Sequence, residues 1–360
     1  MKRIVLAGGG TAGHIEPALA VARELRHRYP HCEITLLGTE SGLETRLVPD
    51  AGFDLALISK VKVARSLSPS LLLLPFTLLR SITQSVQILR KADALIGFGG
   101  YVSGPAYCAA ALTRTPIVIH EANARPGLAN RFGAHLTSFT AITHPVQKGS
   151  LSGALISGLP LREDIVSAYR AASGDWKSAR LQAKRSLGFS DSRPLIFCFG
   201  GSQGSAALNS VISKAQPSLH AAGIQILHGV GSANSLPDSG DGYRAQSYIT
   251  DMATAYLAAD LVISRSGAVT CAEVNTLGKF ALFIPLPIGN GEQELNGLDL
   301  VGQSRAEIVQ QKNFTSEWLL ANITQLLAKS SAAPAHGSPV DIEAASKIAS
   351  LIEHAVKGGK

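Results

Sequence analysis

Twice in this chain a short apolar run breaks into glycines, and a helical pattern begins. Arg3-Ile4-Val5-Leu6 leads into Gly8-Gly9-Gly10-Thr11-Ala12-Gly13-His14, after which Ile15, Leu19, Ala22 and Leu25 recur at helical spacing. Leu195-Ile196-Phe197-Cys198-Phe199 leads into Gly200-Gly201-Ser202-Gln203-Gly204-Ser205. A strand, a glycine loop and a helix N-terminus together make an anion site, because N–H groups point outward and missing side chains let a phosphate approach. Gly8, Gly10 and Gly13 also satisfy G-x-G-x-x-G. That motif alone leaves a nicotinamide cofactor, a nucleotide sugar and a plain tight turn open.

The repeat implies two similar halves, and 360 residues are enough for two sizeable cores. The pattern restarts at Gly158-Leu159-Pro160-Leu161-Arg162. The expected domains are therefore 1–161 and 162–339, with a Ser/Ala/Pro-rich linker over 330–339. A C-terminal helix over 340–360 is expected to fold back on the first domain. Strand and helix patterns alternate throughout. Apolar residues make up 46% and charged ones 16%, a composition suited to parallel strands buried on both faces. The fold class is thus α/β, with two Rossmann-like domains whose parallel sheets face a central cleft. In the second half, strands are expected at 246–249, 261–264 and 280–284, and helices at 293–303 and 316–328. Four scattered cysteines and an N-terminus that runs straight into a strand suggest reduced thiols in a cytoplasmic protein.

Ligands in such sheets lie beyond the carboxyl ends of the strands. Three stretches of the first half fall there: the opening loop, Gly99-Gly100-Tyr101-Val102-Ser103-Gly104-Pro105, and His120-Glu121-Ala122-Asn123. In the second half, Ser264-Arg265-Ser266-Gly267-Ala268-Val269-Thr270 is another strand-to-helix junction, with Glu273 further along the helix. A ligand with a diphosphate in its middle suits such a pair of domains. Ser202 and Ser266 to Thr270 would hold the diphosphate, and Glu273 the ribose hydroxyls. His14, opening a helix beside a glycine loop, is the candidate general base; a capping role is the alternative. No D-x-D and no zinc-like His/Cys spacing is present, so no metal or cofactor is expected, and helix N-termini with Arg, Ser and Thr would stabilise a leaving diphosphate.

All of the +7 net charge falls on residues 1–161, and the remainder carries equal numbers of acidic and basic side chains. That asymmetry points to an anionic partner. Sparse aromatics (6%) and the absence of a binding motif argue against nucleic acid. Residues 60–91 suggest a membrane surface instead. One helical face (Leu72, Phe76, Leu79, Ile82 or Thr83, Val86, Leu89) would cover the sheet, which leaves Leu71, Leu74 and Leu78 as a second apolar stripe beside Arg80, either buried in its turn or exposed and ringed by Lys60, Lys62, Arg65, Arg90 and Lys91.

Read together, these motifs resemble one family. Gly9-Gly10-Thr11-Ala12-Gly13-His14-Ile15-Glu16-Pro17-Ala18, the two Gly-rich junctions at 99–105 and 200–204, His120 to Asn123, Arg265 to Glu273 and Gln293-Glu294-Leu295-Asn296 are similar, in order, to the MurG family of peptidoglycan N-acetylglucosaminyltransferases. The resemblance implies a GT-B fold and transfer of GlcNAc from UDP-GlcNAc to the C4 hydroxyl of undecaprenyl-diphosphate-linked MurNAc-pentapeptide (lipid I), with inversion and without metal. It implies that Ile249 contacts uracil, Glu273 the ribose, and Ser202, Gln203, Ala268, Val269 and Thr270 the phosphates. Arg162 matches a nucleotide-site arginine. Gln293 and Asn123 would contact GlcNAc, and Thr11, Ala12 and Gly13 would line the sugar and acceptor side with Tyr101 and Glu121. Two residues depart from the pattern: Ala12 stands where glycine is usual, and Ala122 where glutamine is common. The rival readings are another GT-B glycolipid transferase, a UDP-GlcNAc epimerase, or an NAD-dependent oxidoreductase with Glu40 as its ribose acid.

Overall fold

A computed structural model describes residues 1–61, 70–288 and 290–358, and the side chains of 70–73 are not among the described features. The chain divides into two units, Met1–Arg162 with the C-terminal segment from Asp341, and Glu163–Val340.

Unit 1 runs β1 (Arg3–Ala7), α1 (Ala12–Arg28), β2 (Glu33–Gly38), α2 (Glu44–Asp50), β3 (Asp54–Leu57), α3 (Ser70–Leu89), β4 (Ala94–Gly97), α4 (Ser103–Thr113), β5 (Ile117–Glu121), α5 (Leu128–Gly133), β6 (Thr140–Ile142) and β7 (Leu155–Ile156). The seven strands form one parallel sheet in the order β3-β2-β1-β4-β5-β6-β7. Side chains along β1 alternate between two cores. Ile4 and Leu6 join a cluster with α1, while Val5 and Ala7 join one with α4. That two-faced burial explains the uninterrupted apolar strand. The strand order turns at β1 and β4, so their carboxyl ends diverge into a crevice.

Unit 2 opens with α6 (Glu163–Ala172) and α7 (Trp176–Ser186). It then runs β8 (Leu195–Phe199), α8 (Ala206–Ala221), β9 (Gln225–Gly229), β10 (Tyr243–Gln246), α9 (Met252–Ala258), β11 (Leu261–Ser264), α10 (Ala268–Thr276), β12 (Ala281–Phe283), α11 (Glu292–Asn296), α12 (Leu298–Gly302), β13 (Ala306–Ile308) and α13 (Ser316–Ala332). Its parallel sheet has the order β10-β9-β8-β11-β12-β13, with the turn of order at β8 and β11. The last helix, α14 (Ala344–Gly358), belongs to unit 1. Its Ile348, Ala349, Ile352 and Ala355 complete the α1 core, and Arg28 of α1 bonds Glu353 (2.9 Å) and Ser346.

Four expectations change. The strand expected at 246–249 lies at Tyr243–Gln246, where buried Tyr243 and Ala245 alternate with less buried neighbours. The helix expected over 293–303 breaks into α11 and α12 at Gly297, which packs closely enough that a Cβ would sit 3.2 Å from Phe283 and Ile308 side chains. The helix from 316 runs on to Ala332, into the expected linker. Beyond it the backbone is held to unit 2 by Arg305, which donates to the Pro334 and His336 carbonyls, and by Arg180, which donates to the Ala335 carbonyl. On α3 the expected inward face holds at Leu89, which is fully buried, but not at Phe76 and Leu79. Phe76 is 72% and Leu79 61% exposed, whereas Leu74 and Leu78 are half-buried. Ser81 and Ser85, both fully buried, set the inward face against α4; Ser85 bonds its own helix at the Ser81 carbonyl. The Leu71 side chain, and Lys62 and Arg65, lie outside the described residues.

Two buried histidines make an acid-stability prediction. Burial lowers His120 in β5 and His228 in β9 to about 4. A depressed histidine pKa means the folded form binds its proton later than the unfolded form, whose pKa is near 6.5. Their contribution is therefore present above that value and is lost as pH falls toward 4, by up to about 3 kcal/mol for each. Urea midpoints should fall between pH 7 and 4.5; equal midpoints would contradict the assignment.

Candidate active site

In unit 1 the crevice between β1 and β4 is bridged by His14. It sits in the first turn of α1, and its Nδ1 lies 2.9 Å from the Phe98 carbonyl, just past β4. A carbonyl only accepts, so Nδ1 carries the proton and donates. Nε2 then bears the lone pair, and it has no partner among the described residues. Burial lowers the His14 pKa below its ordinary 6.5, outweighing the Glu121 carboxylate and the Phe98 bond, which both raise it. A neutral ring with a fixed tautomer is the state a general base needs at neutral pH.

The two loops interlock through glycine. Gly100 has φ +78, and a Cβ there would sit 2.4 Å from the Gly9 carbonyl. Gly10 has φ +99, and a Cβ would meet the Tyr101 ring at 2.6 Å. Beneath them lies Glu44, a fully buried carboxylate that the sequence reading passes over. It accepts from the amides of Gly10 (3.1 Å) and Thr39 (2.9 Å) and from the Tyr101 hydroxyl (2.8 Å). Burial pushes its pKa up, but these bonds outweigh burial and hold it below the usual range. The Gly10 amide of the opening loop thus already serves a carboxylate, whose charge disfavours an anion beside it. The Tyr101 hydroxyl is pushed up to about 12, chiefly by burial.

Glu121, 2% exposed, is also fully engaged. Its oxygens accept from the Asn123 amide and side chain, the Gly127 amide and the Asn130 side chain, which shapes the loop after β5. Thr11 is the exposed N-cap of α1, and Ala12 and Gly13 begin the helix. Among the described residues only Arg114 and Ser304 have positive φ without being glycine, so Ala12 replaces glycine without backbone strain. Ala122 is buried.

In unit 2 the glycine loop after β8 and the junction after β11 lie side by side, because those strands are neighbours. Both lead into helix N-termini, at α8 and α10. Ser205 caps α8 by accepting from the Leu208 amide. Arg265 donates to Ser205 Oγ (2.9 Å), Gln311 Oε1 (2.6 Å) and the Ile284 and Pro285 carbonyls. Its guanidinium therefore ties the ends of β8, β11 and β12 together. Ser266, also buried, has a hydroxyl with no hydrogen-bond partner among the described residues.

Ala268, Val269 and Thr270 form the first turn of α10, whose amides have no intrahelical acceptor. Glu273, 2% exposed, accepts from Tyr256 of α9 at 2.9 Å. Ser202 is half-buried and Gln203 exposed in the loop. Ile249 is buried against Gly229 at the end of β9. Gln293 accepts from the Leu286 amide, and Asn296 donates to the Ser266 carbonyl, which links α11 to the α10 junction. The structure thus gathers Ser202, Gln203, Ala268 to Thr270 and Glu273 on one edge of unit 2. Thr11 to His14, Tyr101, Glu121 and Asn123 gather on one edge of unit 1. Arg162 is the last residue of the N-terminal segment of unit 1.

Residues 4–141 match the glycosyltransferase family 28 N-terminal domain, and residues 195–353 match the family's C-terminal domain. The chain belongs to glycosyltransferase family 28. The first family-28 match holds His14, Glu44, Tyr101 and Glu121; the second starts at the first residue of β8 and holds Ser202 through Gln293. A transferase of Streptomyces avermitilis, named UDP-N-acetylglucosamine--N-acetylmuramyl-(pentapeptide) pyrophosphoryl-undecaprenol N-acetylglucosamine transferase, is 46% identical over 332 residues, covering 90% of this chain and 89% of its own. A protein of the same name from Frankia casuarinae is 44% identical and covers 99% of this chain and 96% of its own. Among solved structures, Acinetobacter baumannii MurG superimposes with a TM-score of 0.72 at 29% identity, covering 98% of this chain and all of that one. No helix among the described residues is long and apolar enough to cross a membrane.

Proposed function

We propose that this chain transfers N-acetylglucosamine from UDP-N-acetylglucosamine to the C4 hydroxyl of undecaprenyl-diphosphate-linked MurNAc-pentapeptide, converting lipid I to lipid II in peptidoglycan synthesis. The observation that carries this reading is the similarity, through both units, to transferases bearing that name. Unit 2 supplies the donor site. The N-termini of α8 and α10 offer unpaired amides and partial positive charge to the diphosphate, supported by Ser202, Gln203, Thr270 and the unpartnered Ser266 hydroxyl. Glu273 holds the ribose and Ile249 the uracil, while Gln293 and Asn123 face the sugar. Unit 1 supplies the base. As the C4 oxygen attacks the anomeric carbon, its proton passes to His14 Nε2, the bond to the diphosphate breaks with inversion, and UDP leaves carrying the electron pair.

The deciding experiment mixes UDP-GlcNAc and lipid I and determines product mass. UDP release that requires lipid I, with a product heavier by one GlcNAc unit, is the expected result. UDP release without lipid I, or binding of NADH in place of UDP, would overturn the reading. Glu273→Gln keeps the bond to Tyr256 but removes the charge, and should raise the donor KM about tenfold with a smaller change in kcat. An unchanged KM would remove Glu273 from the ribose.

The acceptor's lipid places the enzyme at a bilayer, and in this reading unit 1 lies on its cytoplasmic face. The exposed Phe76 and Leu79 of α3, with Leu112 of α4 and the exposed Arg80, Arg90 and Lys91, suit an anionic surface. Phe76→Ser with Leu79→Ser should weaken binding to anionic vesicles at least about tenfold. Equal binding in a sedimentation assay would exclude this face.

A further inference from the structure

We propose that unit 2 carries a second ligand site, for a small phosphomonoester, at the edge of its sheet opposite the proposed nucleotide site. A cavity of about 470 Å³ opens there, lined by Phe189, Arg193, Gln225, Tyr243, Arg244 and their loop neighbours. Gln225 and Tyr243 are the first residues of β9 and β10. The groups assigned to the nucleotide follow the carboxyl ends of β8, β10 and β11 in the same parallel sheet, at the opposite edge and about 15 Å away along five residues of strand.

Two guanidinium groups set the chemistry. Arg244 donates through Nη1 to the Leu187 carbonyl and lies over the Phe189 ring, 5.2 Å from its centroid. Arg193 donates through Nε to the Gly223 carbonyl at 3.1 Å. Each group is anchored along one edge, and Nη2 of each has no protein partner among the described residues. Two glycines keep those nitrogens open. A Cβ at Gly188 (φ +71) would sit 3.1 Å from Arg244 Nη2, and one at Gly242 (φ +67) would sit 2.8 Å from Arg193 Nη2. The buried Nδ1 of His220, which also has no partner among the described residues, lies 3.4 Å from the same Gly242 position.

The opposing charge is weak. Asp241 stands 3.4 Å from Arg193 Nη1, and its side chain is 82% exposed, so water screens the pair. Gln225 is fully used, bonding the Ser190 amide and the Ser190 and Arg193 carbonyls, which fixes the wall. Two pre-anchored guanidinium groups with unused N–H donors, both lining one cavity, suit a phosphate dianion. The volume falls in the small-molecule range of roughly 300–1,000 Å³ and exceeds what a bare phosphate fills. The Phe189 ring offers an apolar flank for the rest of the molecule.

Thermal melting with saturating UDP, which occupies the proposed nucleotide site, separates the two sites. Inorganic phosphate and glycerol 3-phosphate serve as probes, with chloride at equal ionic strength as the reference. The expected result is a rise in Tm with both probes, larger for glycerol 3-phosphate. Arg193→Gln with Arg244→Gln should lose affinity at least about tenfold while binding UDP as the parent does. Should that variant fail to bind UDP, Arg193→Lys with Arg244→Lys, which keeps the charge but loses the fork geometry, must show weaker probe binding. No shift by either probe in the presence of UDP overturns the proposal. So does equal probe affinity in whichever variant retains UDP binding.

Discussion

His14→Ala should lower kcat by about 100- to 10,000-fold and leave the affinity for UDP unchanged. The size follows from the role: the imidazole takes the proton in the step that forms the new bond, while the donor is held by unit 2. The pH profile tests the same assignment independently. Only the neutral ring can accept the proton, and burial lowers its pKa below 6.5. Activity should therefore hold through neutral pH and fall only as the solution is acidified past that lowered value. An acid limb centred above 6.5, or a kcat within twofold of the parent, would take the base role from His14. The Phe98 carbonyl adds a constraint: an asparagine amide can replace the Nδ1 donor but offers no basic nitrogen in place of Nε2, so His14→Asn should be as impaired as His14→Ala.

Glu44→Ala should cost about 3 kcal/mol or more of stability in urea unfolding and raise the acceptor KM with little change in the donor KM. The carboxylate accepts from two backbone amides and a tyrosine hydroxyl inside unit 1; alanine leaves both amides without this acceptor, and the Tyr101 hydroxyl with only Thr39 Oγ1 at 3.1 Å. Two of them, Gly10 and Tyr101, come from the loops that meet at His14, so their loss loosens the wall beside the base. Gly42 and Gly38 are both shaped around this side chain: a Cβ at Gly42 would sit 2.0 Å from Glu44 Oε2. A loss below about 1 kcal/mol would mean that water replaces the carboxylate freely.

The two parallel sheets are legible in the sequence because their central strands are buried on both faces and read as unbroken apolar runs. The loops at their carboxyl ends are legible because glycine is placed where positive φ or close backbone approach requires it. What escapes the sequence is long-range and polar. Glu44 is one acid among many until the fold brings Gly10, 34 residues away, onto its carboxylate. Arg265 has no role legible in the sequence until the ends of β8 and β12 prove to be its acceptors. The α3 face is misread for a different reason. Large apolar residues dominate its pattern, but close packing on α4 selects the small Ser81 and Ser85 for the inside, which turns Phe76 and Leu79 outward. The edge strand β10 is displaced because only its alternate residues are buried.

The place of α14 bears on how the chain is made. Strand β1 is synthesised well before the side chains that close its α1 face, Ile348 to Ala355. Unit 2 is continuous and has all its residues in hand once Val340 is synthesised, whereas the nascent unit 1 waits with an uncovered apolar stripe. That face of unit 1 therefore cannot close until the whole of unit 2 has been translated. A C-terminal deletion before residue 344 would leave it open permanently.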